Sequence, residues 1–349
     1  MSARRKVLGL GRLTGSFALS RALTGAGLRI LCYHGISLAD EHEFQPKLFM
    51  REDTFRRRLE YLRNNAYPVL GLGEALALLE ARRLPPRAVV ITFDDGWIGT
   101  ATKAAPALQE FGFPSTLYVT TRDVLDQVPV FDVALRYLLW KGRRCELDLP
   151  SLGLGSSRFA LDTPERRELV AGLVVEAASG RDPASRNDVL KQIAQRLQVN
   201  WEEFEQASLF RLIDRGALAE LPARGMDLQL HTHNHLLPQN DAAGAALEIE
   251  QNRAVLRPAV RAPLVHFCYP SGEYHAHQFA WLREMRIESA STCMSGINYP
   301  ETERMELRRF LDGENISQVE FEAELSGILE WGRKARGALG RRSRAVEAR

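Results

Sequence analysis

A run of β-branched residues, Val89-Val90-Ile91, stops abruptly at Thr92-Phe93-Asp94-Asp95-Gly96. Pro85-Pro86 before it and Gly96 after it bound a buried strand. Two adjacent carboxylates therefore sit where a core strand ends, the position at which α/β folds place their chemistry. Successive strand residues point to opposite sides, so the two acids can take different tasks, one on a metal and the other on a reacting water. Taken alone, the five residues are equally compatible with an Asp-Gly turn carrying solvated acids.

The same rhythm recurs along the chain. Arg29-Ile30-Leu31-Cys32-Tyr33-His34 reads as a first strand ended by Gly35. Asp53 as N-cap, with Phe55, Leu59 and Leu62 at helical spacing, predicts an amphipathic helix, and a second is expected over Glu74 to Arg82. A helix from Lys103 to Phe111, closed by Gly112, follows the Asp-Asp strand, and Ser115 to Val119 is the next strand. From about 128 to 221 the chain turns polar and helical, with Thr163-Pro164-Glu165 as a helix start, helices over Asn187 to Gln198 and Trp201 to Leu212, and a hairpin of Cys145 to Leu149 with Arg158 to Leu161 around Ser151 to Ser156. This block reads as an insertion. Strands then resume at Asp227 to Leu230, Leu264 to Tyr269, Ser289 to Thr292 and Glu306 to Leu311, with helices at Asp241 to Leu256, His277 to Met285 and Phe321 to Trp331. Alternation of this kind predicts βα units on a parallel sheet.

Composition narrows the function classes. With 45% hydrophobic and 26% charged residues the chain is an ordinary globular protein, and a net charge of +2 does not point to nucleic acid. Cations gather at both ends: Arg4, Arg5, Lys6 and Arg12 at the start, Arg333, Lys334, Arg336, Arg341, Arg342 and Arg344 at the finish. Solvated tails and peripheral contact with an anionic inner membrane are the two readings. Arg12 and Arg21 interrupt the apolar stretch that a signal peptide needs, and no run is long enough to span a bilayer. The four cysteines, Cys32, Cys145, Cys268 and Cys293, show no paired spacing. The expectation is a reduced, cytoplasmic protein, with Cys32 and Cys268 acting as small hydrophobes.

Three predicted strand ends carry polar clusters: Asp94-Asp95, His231-Thr232-His233-Asn234-His235 and Pro270-Ser271-Gly272. A parallel barrel brings such ends to one face. His231 and His235, four apart, would share a face on a helical turn, and two imidazoles with a carboxylate suit zinc or a similar divalent ion with open positions for water and substrate.

Together these motifs carry a resemblance. Thr92-Phe93-Asp94-Asp95-Gly96 matches the first motif of the polysaccharide deacetylases, carbohydrate esterase family four, also described by its nodulation-deacetylase homology domain. His231 to His235 resembles that family's His-[Ser/Thr]-x-x-His motif, and Phe267-Cys268-Tyr269-Pro270-Ser271-Gly272 is similar to a degenerate third motif. Leu31-Cys32-Tyr33-His34 resembles the Tyr-His strand that opens many exopolysaccharide-linked members. The resemblance implies an α/β fold, a distorted (β/α) barrel of about seven parallel strands over 29–315 with the helical insertion at about 128–221. A basic segment, 1–28, precedes it, and a C-terminal helix with a basic, unstructured tail, 316–349, follows. It further implies one divalent metal ion, zinc by expectation, on Asp95, His231 and His235, with Asp94 as general base. A backbone N–H near Ser271, in the stretch Tyr269-Pro270-Ser271, would complete an oxyanion site.

Two departures stand out. Cys268 occupies the place where the family's third motif often carries an arginine that orients the base, and the late Leu-x-His that supplies a general acid has no match, since no histidine follows His277. His34, His266, His275 and His277 are the spare histidines, with His34 best placed, as proton donor or as a buried structural residue. Arg309, on the face of the last strand marked by Leu307 and Leu311, either turns inward onto Asp94 or is solvated or paired elsewhere, as with Glu306. The expected activity is metal-dependent removal of N-acetyl groups from an amino sugar in a cell-surface polysaccharide or its precursor. The alternatives are an amidohydrolase acting on a formamido sugar or ureide, and a non-catalytic glycan-binding scaffold. The sequence is silent on oligomeric state.

Overall fold

The computed structural model describes residues 3–143, 145–149 and 158–333. Two short helices open the chain, α1 (Ala3–Leu13) and α2 (Ser16–Leu23), separated at Gly15, whose φ of 79° places it in the left-handed region. The core is a sheet of seven strands: β1 (Arg29–Tyr33), β2 (Val89–Phe93), β3 (Ser115–Val119), β4 (Met226–Leu230), β5 (His266–Cys268), β6 (Ser289–Ser291) and β7 (Phe310–Leu311). In space they run β6-β5-β4-β3-β2-β1-β7, every pair parallel.

The two edges of the sheet nearly meet. Leu307, three residues before β7, bridges Ser291 of β6, with Leu307 N–H donating to Ala290 O and Thr292 N–H donating to Leu307 O, both at 2.9 Å. A seven-stranded sheet curled until its edges touch is the distorted barrel expected from the sequence. Its strands are buried on both sides, as in β1 and β2, where every residue is covered, which is why they read as continuous apolar runs.

Several elements differ from their expected bounds. The first amphipathic helix runs Glu52–Asn64, so Asp53 lies in the first turn rather than at the cap, and the next helix is Leu72–Glu80. The helix after the Asp-Asp turn opens as a π-turn over Thr100–Ala104 before Ala105–Phe111 and the left-handed Gly112. The expected last strand from Glu306 shrinks to Phe310–Leu311, because Arg304–Glu306 is a 3-10 turn. In the insertion, helices Phe131–Lys141, Pro164–Ala177, Pro183–Arg196 and Trp201–Gln206 carry Thr163, Asp182 and Asn200 as hydrogen-bonding N-caps on the last three. The hairpin pairs Glu146–Asp148 with Arg158–Ala160 antiparallel, and its expected loop lies outside the described residues.

Beyond the insertion come α3 (Ala242–Leu256) and α4 (Gln318–Ser326). The terminal helix is broken at Gly327, where φ is 77°, before helical residues 328–333. The basic tail from Lys334 onward lies outside the described residues.

Candidate active site

Asp94 and Asp95 follow β2, His231 follows β4, Tyr269 follows β5 and His34 follows β1, so one end of the barrel gathers all of them. The β2 strand hands over to a turn in which Asp95 (φ 72°) and Gly96 (φ 97°) both lie in the left-handed region. A non-glycine residue held there is strained, and such strain persists where the surroundings over-determine it. The turn sends the two carboxylates apart, Asp94 into the barrel and Asp95 toward the histidine loop.

Asp95 Oδ1 lies 3.3 Å from His231 Nε2 and 3.4 Å from His235 Nε2. His231 Nδ1 is 2.8 Å from the Cys268 carbonyl oxygen. A carbonyl can only accept, so that bond puts the proton on Nδ1 and turns the Nε2 lone pair toward Asp95. Trp97 Nε1–H donates to Asp95 Oδ2 at 2.8 Å, which fixes the carboxylate's other oxygen. The donors of Asp95, His231 and His235 lie within 4.8 Å of one another. One carboxylate oxygen and two imidazole nitrogens, with Asp95 and His231 each steadied by an outer partner, fit a divalent ion with open positions left for water and substrate.

The histidine pair does not converge on a helical turn, as their four-residue spacing suggested. His231 to His235 is an irregular loop with Thr232 (φ 63°) and His235 (φ 56°) in the left-handed region. Backbone reversal, not helical periodicity, brings the rings to 5.0 Å between centroids. The loop is held from α3 by two residues that sequence reasoning did not single out. Asn252, fully buried, accepts from His231 N–H at 3.0 Å and donates to Val119 O and Thr121 Oγ1. Glu248 accepts from the His233 and Asn234 amides at 3.0 and 2.8 Å. The two are four apart in α3 and so share a face. That spacing was visible, but nothing in it named the loop as partner. His233 turns away, its Nδ1 2.9 Å from Thr121 Oγ1.

Asp94 sits in a different environment. Arg309 Nη1 and Nη2 donate to its Oδ1 and Oδ2, both at 2.7 Å, in a two-pronged contact between fully buried groups. Arg309 Nε donates to Thr292 O at 3.0 Å, and Nη1 reaches Thr92 Oγ1 at 3.3 Å. Burial would raise the Asp94 carboxyl, but the Arg309 charge and hydrogen bonds outweigh it and hold the group well below the usual carboxylate range. Asp95, half-buried, is likewise held low, by His231 and His235.

Cys32 and Cys268 are more than fillers. Their sulfurs lie 3.5 and 3.4 Å from Asp94 Oδ2. Burial pushes both thiols well up, so they remain protonated donors to the carboxylate.

The spare histidines separate clearly. His34 Nε2 is 3.9 Å from Asp94 Oδ2, and its buried Nδ1 has no hydrogen-bond partner. His266 bonds Ser289 Oγ at the start of its strand, and His275 and His277 contact Gln239 on the surface. Tyr269 also lies apart from the expected role: its ring is buried, its hydroxyl donates to Met305 O at 2.9 Å and its amide donates to Ser291 O at 3.1 Å. Pro270 has no N–H, and the Gly272 and Glu273 amides close the turn onto Tyr269 O and Pro270 O. This leaves Ser271, exposed at φ 57°, as the residue of that stretch whose amide is the candidate donor to a substrate.

The profile of the polysaccharide deacetylase family matches residues 81–140, the segment that carries the Asp-Asp turn. YxkH of Bacillus subtilis (strain 168), whose name assigns it provisionally to the polysaccharide deacetylases, is 30% identical over 100 residues, 28% of this chain and 34% of that protein. The poly-β-1,6-N-acetyl-D-glucosamine N-deacetylase of Escherichia coli (strain K12) is 32% identical over 93 residues, 26% of this chain and 13% of that protein. The chain thus spans about a third or less of the length of these relatives. Two solved structures share the fold over 86% of this chain: the acetate complex of Streptococcus pyogenes deacetylase PplD (TM-score 0.56, 18% identity, 98% of that chain) and IcaB from Ammonifex degensii (TM-score 0.55, 19% identity, 97% of that chain). Profile, relatives and fold agree. By profile and relatives over part of its length, and by fold over most of it, this chain is similar to the polysaccharide deacetylases.

Proposed function

We propose that this protein is a metal-dependent deacetylase that removes N-acetyl groups from an amino sugar of a polysaccharide or its precursor. The observation that carries this reading is the division at the end of β2: Asp95 Oδ1 faces two imidazole nitrogens, while the adjacent Asp94 is held by a buried guanidinium. The Escherichia coli relative is named for a β-1,6-linked N-acetylglucosamine polymer, which makes that linkage the first substrate to try.

Asp95, His231 and His235 would hold the ion, with zinc the first choice for this donor set. A divalent ion bound there supplies an acidified water and a polarised acetamide carbonyl. Asp94 takes the water's proton. Its two oxygens are each engaged by Arg309, yet a carboxylate oxygen has a second acceptor direction, so holding and proton uptake are compatible. Arg309 keeps Asp94 from swinging onto the ion. The Ser271 amide donates to the oxygen that becomes negative at the tetrahedral carbon. His34, beside Asp94, delivers a proton to the departing amine, the task the family's late histidine would have filled.

A hollow of about 500 Å³ adjoins the histidine loop, between it and the insertion, lined among others by Arg122, Asp126, Arg186, Asn187 and Asn234. Charged and amide groups beside the apolar surface of Phe131 and Val175 suit the neighbouring sugars of a chain. The cytoplasm is the proposed compartment, where the substrate would be a nucleotide- or lipid-linked precursor. Acetate release from β-1,6- and β-1,4-linked N-acetylglucosamine oligomers, with and without chelator, tests the reading. Chelator-sensitive release supports it; binding without release assigns a glycan-binding scaffold instead, and release from a formamido sugar or ureide alone assigns the other amidohydrolase.

A further inference from the structure

The first 39 residues hold six cations (Arg4, Arg5, Lys6, Arg12, Arg21 and Arg29) and no carboxylate, the first acid being Asp40. Within this stretch Ala3–Leu23 forms α1 and α2, which dock on α4 by one face, while Arg29 is buried in β1. Leu8 and Phe17 bury against Ala323, with Val319, Ile328 and Leu329 around them. Arg5 pairs with Glu320 at 3.0 Å and Arg12 with Glu322 at 3.2 Å, so part of the basic charge neutralises the acids of α4 at the seam. Arg333 does the same for Glu324 and Glu330.

The opposite face is apolar and open. Val7, Leu10 and Leu13 of α1 and Leu19 and Leu23 of α2 are 63–81% exposed. At 100° per residue, Lys6 falls between Leu10 and Leu13 on the same face of α1. Trp331, 51% exposed, lies at the edge, its Nε1–H donating to Ser20 Oγ at 3.3 Å. Half of the large exposed apolar side chains among the described residues, six of twelve, gather on this patch. Scattered apolar exposure is normal, but a grouped apolar face that carries a lysine, on two helices without a carboxylate, is not.

We infer that the α1–α2 face docks on an anionic phospholipid surface, lying in the headgroup region with its leucines inserted. The pattern of leucines, a flanking tryptophan and a lysine on helices that hold no acid is that of an interfacial amphipathic surface. A second copy would bring like charges together, which opposes a self-complementary contact. The C-terminal residues 334–349, with six cations and one acid, would be repelled for the same reason and add attraction to the bilayer instead. No helix among the described residues is long and apolar enough to cross a membrane, so docking here is peripheral. The inference is independent of the chemistry at Asp94.

Sedimentation of the full chain with phosphatidylcholine vesicles, with and without phosphatidylglycerol, tests it. Expected are binding to the anionic vesicles, weakening as salt is raised, and a loss of about tenfold for each of Leu10→Ser and Leu19→Ser. Lys6→Ala should weaken binding about fivefold. These side chains are exposed, so circular dichroism, thermal midpoint and deacetylation of a soluble oligomer should not change. Absence of binding, or equal binding to neutral vesicles insensitive to Lys6→Ala, would overturn the inference. So would a concentration-dependent dimer that Leu10→Ser abolishes in the absence of lipid.

Discussion

Asp94 and Asp95 are neighbours in sequence and opposites in environment, and the difference comes from one turn. The left-handed φ of Asp95 sends its carboxylate out to the histidines and leaves Asp94 pointing into the barrel. There a buried anion is tolerable only with a buried cation, and Arg309 is that cation. Removing it leaves an uncompensated charge, so Arg309→Ala should cost about 3–5 kcal/mol of stability and cut turnover while metal content stays intact. Arg309→Lys should not restore turnover, because a point charge cannot fork onto both oxygens. Arg308→Ala should leave turnover and metal content alone. Parallel calorimetry, metal analysis and turnover on the three variants check this. Equal turnover loss in Arg308→Ala and Arg309→Ala would contradict it. His34→Gln should lower turnover with metal content kept. Full activity in that variant would return the proton donor to another group.

At the scale of elements, α3 is the scaffold of the histidine loop. Asn252 satisfies a backbone donor of His231, a carbonyl of β3 and the Thr121 hydroxyl at once. Asn252→Ala leaves those groups unpaired in a dry interior, at a cost of about 1–3 kcal/mol, and should weaken metal affinity by roughly 10–100-fold through loss of loop orientation. Metal titration by calorimetry decides whether the helix supports the ligands or merely packs beneath them. His266, at the start of β5, offers a pH test of the sheet. Burial, with Arg304 adding to it, lowers its pKa to about 4, against about 6.5 when unfolded. Between those values the unfolded chain binds more protons, so stability is fully present above pH 6.5 and falls as pH drops toward 4, by up to about 3 kcal/mol. Thermal midpoints across this window should flatten in His266→Gln. An unchanged slope would assign the acid sensitivity elsewhere.

Across the whole molecule, most of the barrel was legible because its strands are short apolar runs with hard stops, and such runs declare themselves wherever both faces of a strand are buried. The exceptions share one cause. The last strand looked longer than it is because the Leu307, Arg309, Leu311 alternation extends back toward Glu306, whereas the chain there closes the barrel by a 3-10 turn and the Leu307 bridge, a long-range contact that local pattern does not contain. Asp94, Asp95, His231 and His235 were legible as a set because spacing and strand ends coincide. Their convergence mode was not: the histidine loop is set by left-handed residues and by α3, not by its own periodicity. The two thiols on Asp94 and the buried ring of Tyr269 were likewise hidden, since side-chain direction at a strand end depends on the barrel's curl.

The central claim is that the two acids of one turn divide the work, and one comparison tests it directly: metal content and acetate release of Asp94→Asn beside Asp95→Asn. Asp95→Asn should lose the ion and with it the activity. Asp94→Asn should keep the ion and the fold while turnover drops by roughly two to four decades, the usual contribution of a positioned base. Equal metal loss in both variants, or an Asp94→Asn protein that still releases acetate at the parent rate, would contradict the account.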